Sequence, residues 1–207
     1  MVKNVLLFTG GLILFLTGCI SYGILLNLRE NSLQQEMTLK GITKIENPRI
    51  VINRNTFELS LYSDTILVKK YRAVFGRNSQ QKSSAGDNAT PMGTYKICEI
   101  LPSHKYWKFL KLTYPNLEDV EAGLANGSIN QNEYEKLRFD NNYGDCVNAT
   151  TKLGGNVGIH GIGALNFIFK NLPFVFNWTD GSIAVSNENI DELYNVVTKG
   201  TEVVIIK

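Results

Sequence analysis

Cysteine, histidine and net charge are all scarce in this chain, and each shortage closes off a class of function. Of 207 residues, three are Cys and two are His. The cysteines, Cys19, Cys98 and Cys146, show neither a CxxC spacing nor a Cys/His cluster of the kind that encloses zinc, so no metal site is expected. The formal net charge is +2, and no dense Lys/Arg run occurs anywhere. Holding a nucleic-acid backbone takes a concentrated positive field, so nucleic acid is set aside as a partner. Cys19 lies in an apolar N-terminal segment. Cys98 and Cys146 are therefore open either to one intradomain disulfide or to two buried thiols, which pack as small apolar groups. The sequence alone favours the thiols.

An apolar content of 43% supports one domain of about 150 residues with an appendage. The appendage is N-terminal. From Val5 to Leu26 there is no charge, with Lys3 before the run and Arg29 and Glu30 after it. A helix of that length spans roughly 33 Å, against ~30 Å for a bilayer's hydrocarbon core. Residues 1–27 thus read as a membrane anchor, with Lys3 favouring a cytoplasmic N-terminus. Leu16-Thr17-Gly18-Cys19 also fits a lipobox, which makes Cys19 a lipidation candidate and the segment a lipoprotein signal. The apolar run from Ile20 to Leu28 speaks for the uncleaved anchor. Ordinary secretion is a third route, and all three place the domain outside the cytoplasmic membrane. Residues 28–47 are polar and read as a spacer, which leaves 48–207 as the folded domain.

Within that domain, Arg49–Asn53 and the alternating stretch Phe57–Ser63 predict a strand pair joined by the turn chemistry of Asn53-Arg54-Asn55. Further strands are expected at 66–75, closed by Gly76, at 94–100, and at Glu202–Ile206. Ile190, Leu193, Tyr194 and Val197 recur at helical spacing, with Ser186 or Asn187 as cap, Glu188 in the first turn and Gly200 at the C-terminal end. Residues 117–139 suggest two short helices split at Asn126-Gly127, with Asn130 capping the second. Many short strands and few helices indicate a mainly β sandwich or barrel, and 117–139 is a small helical cap insertion.

Five segments then resemble, in order, the L,D-transpeptidase (YkuD-type) family of bacterial cell-wall enzymes, over about Ile50 to the C-terminus. They are Gly86-Asp87-Asn88-Ala89-Thr90-Pro91-Met92-Gly93-Thr94-Tyr95, Pro102-Ser103-His104-Lys105-Tyr106, Leu112-Thr113-Tyr114-Pro115-Asn116, the strand Leu153–Gly161 ending in His160-Gly161, and Asn177–Val185. The second and third are similar to the branch with an inserted cap. In the family the last segment carries Thr/Ser-x-Gly-Cys-Ile with a nucleophilic cysteine. This chain reads Thr179-Asp180-Gly181-Ser182-Ile183, so Ser182 stands at the cysteine position. Asp180 stands where many members have histidine, and Ala184 where many have arginine. The His160-to-Ser182 connection, which contains Pro173 and several aromatics, suggests a long lid loop.

The resemblance implies acyl transfer on peptidoglycan stem peptides without metal or organic cofactor. The nucleophile attacks the carbonyl of an L,D bond and forms an acyl-enzyme. His160 takes the nucleophile's proton and returns it to the leaving amine. Backbone N–H groups at the Gly181 turn stabilise the oxyanion. Gly161, Thr179 and Trp178 are expected to meet the substrate; Lys82, Tyr106 and Trp107 are further groove candidates, and His104 reads as cap surface or scaffold. A serine hydroxyl is far less acidic than a thiol and needs a well-oriented base. Two functions follow: an acyl-enzyme formed on serine, or a non-catalytic protein that keeps the groove and binds peptidoglycan.

Overall fold

In the computed structural model every residue is described except Met1, Arg29, His104, Gly144, Asp145, 148–150 and Pro173. The expectations on Arg29, His104 and Pro173 therefore lie outside the described residues. The framework is an eight-stranded sheet of β1 (Pro48–Asn53), β2 (Glu58–Ser63), β3 (Ile66–Arg72), β4 (Gly93–Ser103), β5 (Trp107–Leu112), β6 (Gly158–Gly161), β7 (Ile183–Val185) and β8 (Glu202–Ile206), in the order β3-β2-β1-β8-β4-β5-β6-β7. Two of its pairings are parallel, β1 with β8 and β6 with β7. Just past β3, Val74 exchanges two backbone hydrogen bonds of 2.9 Å with Ala184 of β7, which draws the two edges together. The domain is mainly β and nearly barrel-shaped, with several helices, as the strand pattern indicated.

Alternation decides which side chains fill the interior. Ile50 and Ile52 of β1 and Leu59 and Leu61 of β2 are fully buried, and their strands pair antiparallel as expected. Each such side chain contributes about 1.5–3 kcal/mol relative to exposure. The Asn53 carboxamide oxygen accepts from the Asn55 and Thr56 amides and so builds the turn between them. In the last third of the chain, α6 (Asn187–Tyr194) starts on Ser186, whose side chain accepts from the Asn189 N–H. It stops at Tyr194, short of Val197. Gly200 (φ 90°) serves the turn into β8 and not a helix end; its N–H donates to the Ile97 carbonyl at 2.8 Å.

The insertion comprises α3 (Leu117–Ala125) and α4 (Gln131–Tyr143). Asn116 and Asp119 form a capping box on α3, and the Asn130 side chain accepts from the Glu133 N–H on α4. Val120, Ile129, Leu137, Val147 and Leu153 give it a small core of its own. A disulfide joins Cys98 of β4 to Cys146, just beyond α4, so the expectation of two buried thiols is corrected. The two residues are 48 apart in the chain, and their closeness (Cα–Cα 5.4 Å) is one that linear spacing does not reveal.

The spacer expectation for 28–47 is corrected as well. Here α2 (Leu33–Leu39) opens on a capping box between Ser32 and Gln35 and buries Leu33 and Met37 in the main core beside β3. Two apolar anchors in seven residues are too few to announce a helix; tertiary packing supplies the stability. Before it runs α1 (Val2–Asn27), by length and composition sufficient to cross a membrane. Its end does not stand clear of the domain. Gly23 lies against the Asn171 backbone, and the Asn27 carboxamide donates to the Lys170 carbonyl and to Asn171 Oδ1.

Candidate active-site cleft

The parallel register of β6 and β7 pairs Ile159 with Ile183 and His160 with Ala184. One step back along both strands, Gly158 lies opposite Ser182. Side chains alternate between faces, so His160 and Ser182 project to one face as diagonal neighbours. Phe109 pairs with His160 and Lys111 with Gly158 across the antiparallel β5–β6 ladder, which adds both to that face. All four line a cleft of about 760 Å³, with Tyr106, Trp178, Thr179, Asp180 and Gly181.

His160 is only 2% exposed. The rings of Tyr106, Phe109 and Trp178 surround its imidazole at centroid separations of 4.4, 6.0 and 6.2 Å. Burial pushes its pKa down to about 4; the Lys105 ammonium adds to this, and the Gly161 carbonyl opposes it. The ring is neutral at pH 7. Nδ1 lies 2.6 Å from the Gly161 oxygen, and a carbonyl only accepts, so Nδ1 carries the proton. Nε2 is left with a free lone pair, the form a general base needs.

Ser182 sits at the end of a turn whose polar groups are closely tied. The buried Thr179 hydroxyl donates to the Ser182 carbonyl at 2.6 Å and accepts from the Gly181 N–H at 3.2 Å. Gly181 has φ 126°, and a Cβ there would meet the Ala89 carbonyl oxygen at 2.7 Å, so glycine is required both by conformation and by space. The Gly181 amide is taken by Thr179, which makes the Ser182 amide this turn's candidate oxyanion donor. Ser182 Oγ accepts from the Gly158 N–H at 3.3 Å. A side chain at Gly158 would collide with the Leu110 carbonyl and the Phe109 ring, so the backbone can stand this close to the hydroxyl only as glycine.

Behind the turn, the Asp87 carboxylate accepts from the Lys82 ammonium at 2.8 Å and from the Ser83, Ser84 and Ala89 amides. Burial alone would raise its pKa; the ammonium and the three amides outweigh that and hold it below the usual carboxylate range. The Arg54 guanidinium donates to the Ser79 and Thr90 carbonyls, each at 3.0 Å, and clamps the same loop. That loop presents the Ala89 oxygen to Gly181.

His160, Ser182, Gly181, Thr179 and Trp178 therefore come together. Gly161 does not join the cleft. Its N–H donates to the Tyr106 carbonyl, and a Cβ on it would press on Asn187 and Trp107. Its part is to hold the histidine, a correction to the expectation of substrate contact. Lys82 and Tyr106 line the cleft, whereas the Trp107 indole donates to Asp191 and faces away from it. Asp180 is exposed and paired with Arg77 at 2.5 Å. Among the described residues no cleft wall comes from α3 or α4; beside the strands of the site, the β4–β5 hairpin, residues 82–86 and residues 151–157 contribute to the walls. Among the described residues of the connection from His160 to Ser182, with its short helix α5 (Asn166–Lys170), Trp178 and the residues after it enter the cleft. Sequence reading missed β5, whose run of large apolar residues, Trp-Lys-Phe-Leu-Lys-Leu, was the available signal. It delivers Phe109 and Lys111, the latter 5% exposed and 3.9 Å from Glu99.

Comparison with known proteins agrees with this architecture. Residues 47–205 match the family model of the L,D-transpeptidase catalytic domain (YkuD). A mutant of the helical cell shape determining protein Pgp2 from Campylobacter jejuni superposes with a TM-score of 0.50 at 21% identity, over 76% of this chain and 46% of that one. An L,D-transpeptidase from Xylanimonas cellulosilytica gives 0.45 at 12% identity (84% and 70% covered), and one from Mycobacterium smegmatis 0.47 at 13% (78% and 59%). The chain thus spans about half the length of the Campylobacter protein, and at these identities the likeness is one of fold. No curated protein matches. By the extent of the family match, the chain belongs to the L,D-transpeptidase catalytic-domain family.

Proposed function

We propose that residues 48–207 form an envelope domain, held at the membrane by residues 1–27, that acts on peptidoglycan stem peptides by acyl transfer or hydrolysis. The observation that carries this reading is the pairing of a neutral His160, with Nε2 unprotonated, and Ser182 Oγ on one face of one cleft. Ser182 Oγ attacks the carbonyl of the stem-peptide bond while its proton passes to His160 Nε2. The Ser182 amide receives the oxyanion. Collapse breaks the C–N bond, His160 returns the proton to the departing amine, and an ester on Ser182 remains. An acceptor amine or water then attacks that ester by the same route. No metal or organic cofactor enters any step. Membrane attachment runs through α1, either as a spanning helix or through lipid on Cys19.

A second reading has its own support. His160 Nδ1–H is held by a backbone carbonyl where serine enzymes use a carboxylate, and the aromatic surround disfavours the imidazolium that must form. Those features fit a protein that binds stem peptides and does not turn them over.

Intact-mass measurement of the full chain with tetrapeptide muropeptides, beside a Ser182→Cys variant, separates the readings. An acyl adduct on the native chain establishes a serine enzyme. An adduct on Ser182→Cys alone, with binding retained by the native chain, establishes the binding protein. No adduct and no binding in either chain removes both.

A further inference from the structure

Between His160 and Ser182 the chain leaves an apolar surface uncovered. Leu165, Phe167, Ile168, Phe174 and Phe176 are 40–62% exposed, a concentration that marks an interaction surface on a soluble domain. Phe174, Phe176 and Phe169 form a chain of tilted ring contacts at centroid separations of 6.2 and 5.7 Å, and Phe169 meets Trp178 at 5.6 Å. What covers this surface is indicated by its neighbour. Asn171, in the middle of the stretch, packs directly on Gly23 of α1, and Asn27 reaches back to Lys170 and Asn171. Gly23 lies within the uncharged run of α1, four residues before its last. At 1.5 Å per residue that is about 6 Å below the helix end. Apolar faces that lie in a membrane interface sink about 5–10 Å into it.

We propose that this surface is a second membrane contact, seated in the headgroup region of the phospholipid bilayer that holds α1. The inference rests on the proposed anchoring of residues 1–27. An element that touches a spanning helix inside its apolar stretch must itself stand at the level of the interface. Lipidation at Cys19 would leave Gly23 and Asn27 in place and give the same geometry. The contact fixes the tilt of the domain, because Trp178 connects the surface to the cleft wall.

The test uses the full chain in vesicles of phosphatidylethanolamine and phosphatidylglycerol, with Cys19→Ser as background and Cys98–Cys146 oxidised. Single cysteines placed by Leu14→Cys, Phe167→Cys, Phe174→Cys or Phe139→Cys carry an environment-sensitive fluorophore. Phe139 is as exposed as Phe167 (both 62%) but lies on the helical insertion. Expected is a blue shift with quenching by nitroxide lipids at 14, 167 and 174, and a water-like probe at 139. Water-like probes at 167 and 174 with lipid quenching at 14 overturn the docking surface and leave the anchor standing. A water-like probe at 14 removes the anchor itself. Shielding at 167 and 174 without lipid quenching means that a second copy of the chain covers the surface, and equal quenching at 139 means non-specific adsorption; either overturns the proposal.

Discussion

Two neighbouring stretches, the turn 179–182 and the loop 162–176, lie on the same path from His160 to Ser182 and are built by opposite means. In the turn, the Thr179 hydroxyl bridges an amide and a carbonyl, and the Ala89 oxygen leaves no room for a Cβ on Gly181. The loop is tied from behind by side chains of its neighbours, the Arg72 guanidinium on the Leu172 and Phe174 carbonyls and the Asn187 carboxamide on the Gly163 backbone, while Phe167, Phe174 and Phe176 face outward. A reacting atom must be held to a fraction of an ångström, and directional hydrogen bonds and a forced backbone achieve that. A surface meant for a fluid or yielding partner needs area and little geometry.

That contrast is open to direct attack. The largest effect is expected from Gly181→Ala, which meets both a left-handed φ and a carbonyl at 2.7 Å. A loss of about 3 kcal/mol is expected in chemical denaturation, together with loss of muropeptide binding. If the variant is as stable as the native chain, the turn is not rigid and the contrast fails. Acid comes next. The folded pKa of His160, about 4, lies below the unfolded value of ~6.5, so on acidification the unfolded chain takes the proton first. The contribution is complete above about pH 6.5 and erodes as pH falls toward 4. It is on the order of 3 kcal/mol, read as the difference between the native and His160→Gln pH–stability curves. Thr179→Val keeps the shape and removes both hydrogen bonds, leaving a buried amide unpaired; about 2 kcal/mol is expected by thermal unfolding. Smallest is Phe167→Ser in the loop, within about 0.5 kcal/mol in unfolding of the protein, because the rest of the chain covers little of the ring. A large loss there would make the loop part of the framework.

How much of this was legible in the chain depended on the range of the physics involved. The β1–β2 hairpin and the Ser186 and Asn130 caps were readable because alternation and cap chemistry act over a few residues. His160 and Ser182 were recognisable through their motifs, yet their shared face follows from a parallel register between strands far apart in sequence. The Gly161 and 28–47 expectations failed for one reason: a glycine and a sparse polar stretch take their meaning from what packs on them. The disulfide and β5 belong to the same class. Lys111 looks in sequence like any strand lysine, and becomes a buried cleft residue only once β4 and β6 flank it.

The place of β8 bears on how the chain is made. It is the last of the eight strands to leave the ribosome, yet it lies between β1 and β4 and joins them through a full ladder on each side, where the opposite edges meet only at short bridges such as Val74–Ala184 among the described residues. Until residues 202–206 emerge, the facing edges of β1 and β4 are open, while the strands that carry the cleft, β4 to β7, are already made. The sheet therefore closes late, over long sequence separations and correspondingly slowly. Any passage that demands an unfolded chain has nearly the whole length of translation in which to occur.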